Sequence, residues 1–184
     1  MLKIVTMEST NNKEIRFSEE SMQLVQRLIH RYPEGRQKSA LIPVLHIAQA
    51  EFGGWLSSEV MDYVAGLLQI QPIEVYEVAT FYTMFNLTPV GNCVIEVCRT
   101  GPCWLNGSDE IIGHLEKTLN IKVGETTSDG MFTLKTVECL AACGNAPVMQ
   151  VGIQYHENLT TAKVDQLLET WRSEKLVSHK NPYQ

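Results

Sequence analysis

Apolar positions in the first half of the chain recur every three or four residues. Met22, Val25, Leu28, Ile29 and Tyr32 follow a polar start in which Ser18 precedes Glu19 and Glu20. A serine cap with acids in the first turn marks a helix N-terminus, and "PEG" ends the run. A second period, Leu41, Leu45, Ala48 and Phe52, stops at Gly53-Gly54, with Pro43 near its start. Ser57 caps a third, whose apolar face is Val60, Met61, Val64, Leu67 and Leu68. Pro72 suits the first turn of a fourth, "PIEVYEVATFYTMF". The pattern predicts a small all-α module.

After "TPVGN" (88–92) the period changes. "CVIEVC" (93–98) predicts a buried strand, and "CWLNGSDEIIGHLEKTLN" a helix with Ile111, Ile112, Leu115 and Leu119 on one face. "IKV" (121–123) is a short strand candidate, "MFTLKTVEC" alternates like a strand, and "PVMQVGIQYH" predicts another. A last helix is capped by Thr160 or Thr161 and turns Val164, Leu167, Leu168 and Trp171 inward. The order βαβ then ββα predicts an open sheet with helices on its faces, most economically thioredoxin-like. The predicted fold class is α+β. It comprises a flexible tail (1–16), a helical module (17–88), a thioredoxin-like α/β domain (89–175) and a C-terminal tail (176–184).

Composition narrows the setting. A net charge of -6 and a pI near 5.4 argue against a nucleic-acid binder, which normally carries a basic stripe. The longest apolar stretch, "ALIPVLHIAQA", is too short to span a bilayer, and the N-terminus lacks a signal peptide's apolar core. A cytoplasmic protein is expected. The 5 cysteines cannot all pair within the chain, and in a reducing compartment clustered thiols more often bind metal or do redox chemistry.

Four of those cysteines fall in two pairs. Cys98 and Cys103 lie in "VCRTGPCWLNG"; Cys139 and Cys143 lie in "VECLAACGNAP". In the predicted domain Cys98 ends the first strand and Cys103 begins the next helix or its leading loop. Cys139 ends the third strand and Cys143 lies in the loop before the fourth. Two loops, each offering two thiolates, make a four-sulfur cage. Zinc and a [2Fe-2S] cluster both accept such a cage, and the spacing alone leaves them open. Neither common ferredoxin run is present, since Asn106 stands where the plant type needs a third cysteine. A thiol–disulfide exchange site lacks its Cys-x-x-Cys, and a set of merely buried cysteines fits the paired spacing poorly.

"CRTGPCWLNG" and "VECLAACGNAPVMQV", preceded by "VYEVATFYTMF", resemble the family of E subunits of NADH-quinone oxidoreductase (respiratory complex I). They are also similar to diaphorase subunits of NAD-linked hydrogenases and formate dehydrogenases. The resemblance spans about residues 18–172. It implies a thioredoxin-like [2Fe-2S] domain in which Cys98, Cys103, Cys139 and Cys143 ligate the cluster, the first two on one iron and the last two on the other. It further implies a partner flavoprotein of the F-subunit type, bearing FMN, the NADH site and a [4Fe-4S] cluster, in a peripheral arm. The family favours glycine at the position of Ala141 and often a bulkier residue at that of Gly144. These departures leave the ligands intact and bear on the polarity around them. Gly101, Gly144 and Asn145 are expected to turn backbone N–H groups toward sulfur.

Other residues have blander readings. Cys93 is expected to pack in its strand, and Trp104 either to shield the cluster or to fill core. Phe81 and Phe85 are expected in the core, with Tyr82 open. His46 and His114 are expected at surface or satisfied core positions, and the pair Glu19-Glu20 as helix-start charges. No Gly-x-Gly-x-x-Gly, Walker loop, Gly-x-Ser-x-Gly or His-Glu-x-x-His occurs, so substrate chemistry belongs to a partner. The helical module is expected to dock that partner. A stand-alone ferredoxin and a zinc-stapled interaction module are the alternatives.

Overall fold

The computed structural model describes residues 15–183, so most of the tail predicted over 1–16 lies outside the described residues. Four helices come first: α1 (Glu19–Ile29), α2 (Leu41–Glu51), α3 (Ser58–Leu68) and α4 (Pro72–Phe81). The starts of α1, α3 and α4 are those the sequence predicts. Ser18 Oγ accepts the Ser21 N–H at 3.3 Å, Ser57 Oγ accepts that of Val60 at 3.3 Å, and Pro72 opens α4. The Gln71 N–H donates to the Glu74 carboxylate at 2.9 Å, one half of a capping box. A 3-10 turn (Gln37–Ala40) leads into α2, so Pro43 falls in a first turn where its missing N–H has no helical partner to lose. Val25, Val44, Leu45, Val64, Leu68 and Val75 close the core of this module.

Helix α4 is shorter than its apolar run. The Tyr82 N–H closes the last turn on Val78 O, and the chain then folds back. Buried Gln49 explains the break: its Nε2 donates to Met84 O at 3.0 Å and its Oε1 accepts the Asn86 N–H at 2.7 Å. Phe85 is thereby buried against His46, whereas Phe81, expected in the core, is 77% exposed.

The second half forms one four-stranded sheet of order β2-β1-β3-β4, with β1 (Cys93–Cys98), β2 (Phe132–Val137), β3 (Met149–Val151) and β4 (Gln154–His156). Strands β1 and β2 are parallel; β1/β3 and β3/β4 are antiparallel. Between β1 and β2 run α5 (Gly101–Leu105) and α6 (Ser108–Leu119); α7 (Thr161–Glu174) closes the domain, capped by Thr160. Ile95, Val97, Phe132, Leu134 and Met149 share one core with Ile111 and Leu115 of α6 and Val164, Leu168 and Trp171 of α7. Both long helices thus cover one sheet face, where the sequence led us to expect helices on both. The other face carries Glu96 and Lys135, and the Lys135 ammonium reaches Asn86 Oδ1 at 2.9 Å on the connector from the helical module.

Three local predictions are corrected. The helix expected within "CWLNGSDEIIGHLEKTLN" is α6; Cys103, expected at its start or in its leading loop, lies instead in a separate short helix, α5, which Gly107 with φ 89° divides from α6. "IKV" is a turn, because the Glu125 and Glu116 carboxylates take the N–H groups of Lys122 and Val123 that a strand would give a neighbour. "PVMQVGIQYH" is a hairpin, β3 to β4, turning at Gly152 with φ 61°. The Ala146–Pro147 peptide before β3 is cis.

Residues 176–183 contain no helix or strand. They run from the end of α7 across to the helical module, with Ser178 bonded to Asn92 and Tyr183 beside His46.

Candidate metal centre

The parallel register pairs Cys98 with Val137, so β1 and β2 end at the same edge of the sheet. Loops leaving parallel neighbours emerge side by side, which brings the segment after Cys98 beside the segment after Val137 despite the intervening sequence. An exposed ion pair between Arg99 and Glu138, at 3.2 Å, joins their first residues and contributes little on its own. Strand β3 enters from the same edge: the Cys98 N–H donates to Val148 O at 3.0 Å, just after a 3-10 turn (Cys143–Asn145). Cys139 lies two residues beyond β2 rather than at the end of a strand.

This edge gathers the predicted thiols. Cys98 and Cys103 are buried with Val148 in a small apolar cluster, against which Leu140, Ala142 and Ala146 pack. Cys139 and Cys143 are exposed, with their sulfurs 3.5 Å apart. The pairs sense one another. Burial first, then the neighbouring Cys98 thiol and the charges of Cys98 and Cys143, pushes Cys103 up to about 11. Cys143 is raised by its partner Cys139 before burial adds to the effect. Burial also works against ionisation of Cys98, yet hydrogen bonds from Thr100, Leu140 and Cys103 outweigh it and hold this thiol below its usual range. Cys139 is lowered chiefly by the Ala141 N–H, at 3.3 Å, and then by the Cys143 thiol. Each pair therefore holds one readily ionised and one reluctant sulfur. A metal centre held here would need all four as thiolates, so the two reluctant sulfurs would give up their protons on binding.

Two floor thiols, at the end of β1 and in α5, and two rim thiols between β2 and β3 fit a two-metal unit held two sulfurs at a time. Among the described residues, no group of three or more His, Cys, Asp or Glu side chains converges closely enough for a single ion.

The polar surroundings differ in part from expectation. Donors to sulfur come from Thr100, Leu140, Ala141 and Val148. Asn145 instead gives its N–H to Ala142 O and its side chain to Glu157. Thr100 is the residue sequence reasoning missed. It stands at the cap position of α5 but makes no cap bond; its hydroxyl lies 3.4 Å from Cys98 Sγ and also favours ionised Cys139. Its place before Gly101-Pro102 reads as an ordinary helix start, which masks this role. Trp104 is no core residue: it is 58% exposed, with Nε1 donating to Asp109 at 2.8 Å, and exposed Leu105 adjoins it. Cys93 is fully buried, and burial lifts its thiol to about 12, as a packing residue requires. His46 packs in its module, and His114 pairs with Asp165 at 2.6 Å.

A sequence model of the thioredoxin-like [2Fe-2S] ferredoxin family matches residues 25–172. The chain belongs to that family. Like its other members it carries a [2Fe-2S] centre, which decides between the iron and zinc readings left open by spacing. This ferredoxin is 47% identical over 162 residues to the E subunit of NADH-quinone oxidoreductase from Rickettsia typhi, covering 88% of the chain and 95% of the relative. It is 44% identical over 172 residues to the mitochondrial NADH dehydrogenase [ubiquinone] flavoprotein 2 of Dictyostelium discoideum, covering 94% and 70% respectively. Its fold is similar to that in an NAD+-reducing [NiFe]-hydrogenase, with a TM-score of 0.64 at 21% identity, over 77% of this chain and 24% of that one. No helix among the described residues is long and apolar enough to cross a membrane.

Proposed function

We propose that this chain is the [2Fe-2S] electron-transfer subunit of an NADH-quinone oxidoreductase, placed beside a flavoprotein that binds FMN and NADH. The observation that carries this reading is the meeting of Cys98, Cys103, Cys139 and Cys143 at one sheet edge, in a chain 47% identical to a protein named for that complex. Cys98 and Cys103 would hold one iron and Cys139 and Cys143 the other. The bound centre supplies one-electron acceptance and release, which a two-electron hydride donor on the partner requires.

The residues divide that task. Cys98 and Cys103, sunk against Val148, anchor the centre and keep water from its inner side. The Thr100 hydroxyl and the N–H groups of Leu140 and Ala141 present positive dipole ends to thiolate charge. Cys139 and Cys143 form the open side, where a redox partner can approach, and exposed Trp104 and Leu105 follow Cys103 on α5. The helical module (17–88), which has its own core and no chemical motif, serves as the docking body for an F-type flavoprotein partner with a [4Fe-4S] cluster. The assembly is the peripheral arm of a membrane complex, with no insertion by this chain.

Purified protein should absorb in the visible, contain two irons per chain, and give an electron-paramagnetic-resonance signal on reduction. A colourless preparation with stoichiometric zinc would overturn the reading. Co-expressed with the partner flavoprotein, it should purify with an FMN-bearing chain, and removal of residues 1–86 should abolish that association while leaving the cluster. Persistent co-purification would assign docking to the cluster domain.

A further inference from the structure

After α7 the chain crosses from one module to the other within eight residues. Leu176 packs against the core of the cluster domain. Ser178 then bonds to the start of β1: its N–H donates to Asn92 O at 2.8 Å, and its hydroxyl accepts the Val94 N–H at 2.9 Å. His179 is half-buried against Gly54 of the helical module, and the Tyr183 ring lies 6.3 Å from that of His46, which itself rests on Phe85.

Two glycines, one in each module, accommodate this path. Gly152, in the β3–β4 turn, has φ 61°, and a Cβ there would lie 2.7 Å from Ser178 O. Gly54, after α2, has φ 86°, and a Cβ there would lie 2.7 Å from His179 Nδ1. Both positions combine a left-handed backbone with the absence of room for a side chain. They are filled by consecutive residues of one segment. His179 Nδ1 and Asn181 Nδ2 are buried without a hydrogen-bond partner, so polar atoms are held under the segment at a cost that its docking offsets.

We propose that residues 176–183 form an intramolecular clasp that fixes the helical module against the cluster domain. The clasp stands whether or not the electron-transfer reading is right. It engages both modules through adjacent residues, so loosening it at one module loosens it at the other. The only element it leaves from is α7, packed in the cluster domain, so its grip on Gly54 sets where the helical module lies relative to the thiol-bearing edge.

The test uses the full-length, cluster-loaded protein and amide hydrogen exchange over residues 90–96 and 176–183. Gly54→Ala, placed in the helical module, should speed exchange of the Val94 and Ser178 amides of the cluster domain about tenfold, with the visible spectrum unchanged. Adding His179→Ala to that variant should exceed His179→Ala alone by no more than the strain of a left-handed alanine at position 54 adds, because the clash itself needs the imidazole ring. Should Gly54→Ala fail to fold, His179→Ala alone carries the test: it removes bulk without adding any, and the same two amides should exchange faster while α2 stays protected. Removal of residues 177–184 should broaden the distance between modules seen by small-angle scattering. Exchange at Val94 and Ser178 within about twofold of the parent, or an unchanged scattering profile after truncation, would overturn the clasp.

Discussion

Ala141 donates its backbone N–H to Cys139 Sγ at 3.3 Å from a left-handed backbone conformation, φ 61°. The donor reaches sulfur because the chain turns this way, and the turn strains a residue with a Cβ by about 1–2 kcal/mol. Ala141→Gly relieves that strain but adds freedom to the unfolded chain, costing about 0.4–1 kcal/mol. The net expectation is a gain of about 0.5–1 kcal/mol in denaturant unfolding, with an unchanged visible spectrum. A loss of stability would show that the alanine methyl has a packing role.

Gly144 adjoins Cys143 on the exposed side, and a Cβ there would meet nothing within 4 Å. A larger side chain fits without shifting the backbone and covers the open thiol pair. Reduction of a four-thiolate [2Fe-2S] centre adds a negative charge, and excluding water disfavours the more charged form. Gly144→Phe should therefore lower the midpoint potential in a redox titration while iron content stays at the parent value. An unchanged potential would mean that solvent reaches the centre from another side.

Much of this arrangement is legible because it is local. Ser18, Ser57, Pro72 and Thr160 act within a few residues of themselves, and each opens the helix that its neighbours predict. The pairing of the cysteines is likewise local, since the members of each pair are only a few residues apart. Where the sequence misleads, a distant group has intervened. Gln49 ends α4 by bonding residues 35 and 37 positions away, which leaves Phe81 outside a core that helical spacing assigns it. Thr100 turns from a cap to a sulfur because Cys98 ends a strand two residues earlier. Polarity could not assign Trp104, whose indole N–H finds Asp109 on a surface that an apolar ring alone would avoid.

The five cysteines should divide cleanly under substitution. Cys93 points into the sheet core, fully buried and with its thiol held protonated. Cys93→Ala should retain the visible spectrum and cost about 1 kcal/mol through the small cavity it leaves. Cys98→Ala or Cys139→Ala removes a donor from one of the two pairs and should abolish the cluster signal. Loss of iron in the Cys93 variant, or its retention at parent level after replacing Cys98, would reverse the assignment of ligands.

Stability should depend on pH through three partly buried histidines. Burial holds His46, His156 and His179 below the ordinary value of 6.5, and Lys163 adds to the effect at His156. The unfolded chain then binds protons that the folded chain refuses, so stability rises with pH in this range. Their contribution is fully present above 6.5 and declines as pH falls through that value toward the folded ones. Carboxylates held below their usual range, such as Glu116 through Lys122 and Asp129 through Thr127, act only at lower pH and leave this window distinct. The urea midpoint should fall between about pH 7 and pH 5, and His179→Gln should flatten part of that slope. A midpoint independent of pH across the window would show that these rings find new partners on protonation, at His179 by release of the C-terminal segment and a matching rise in its amide exchange.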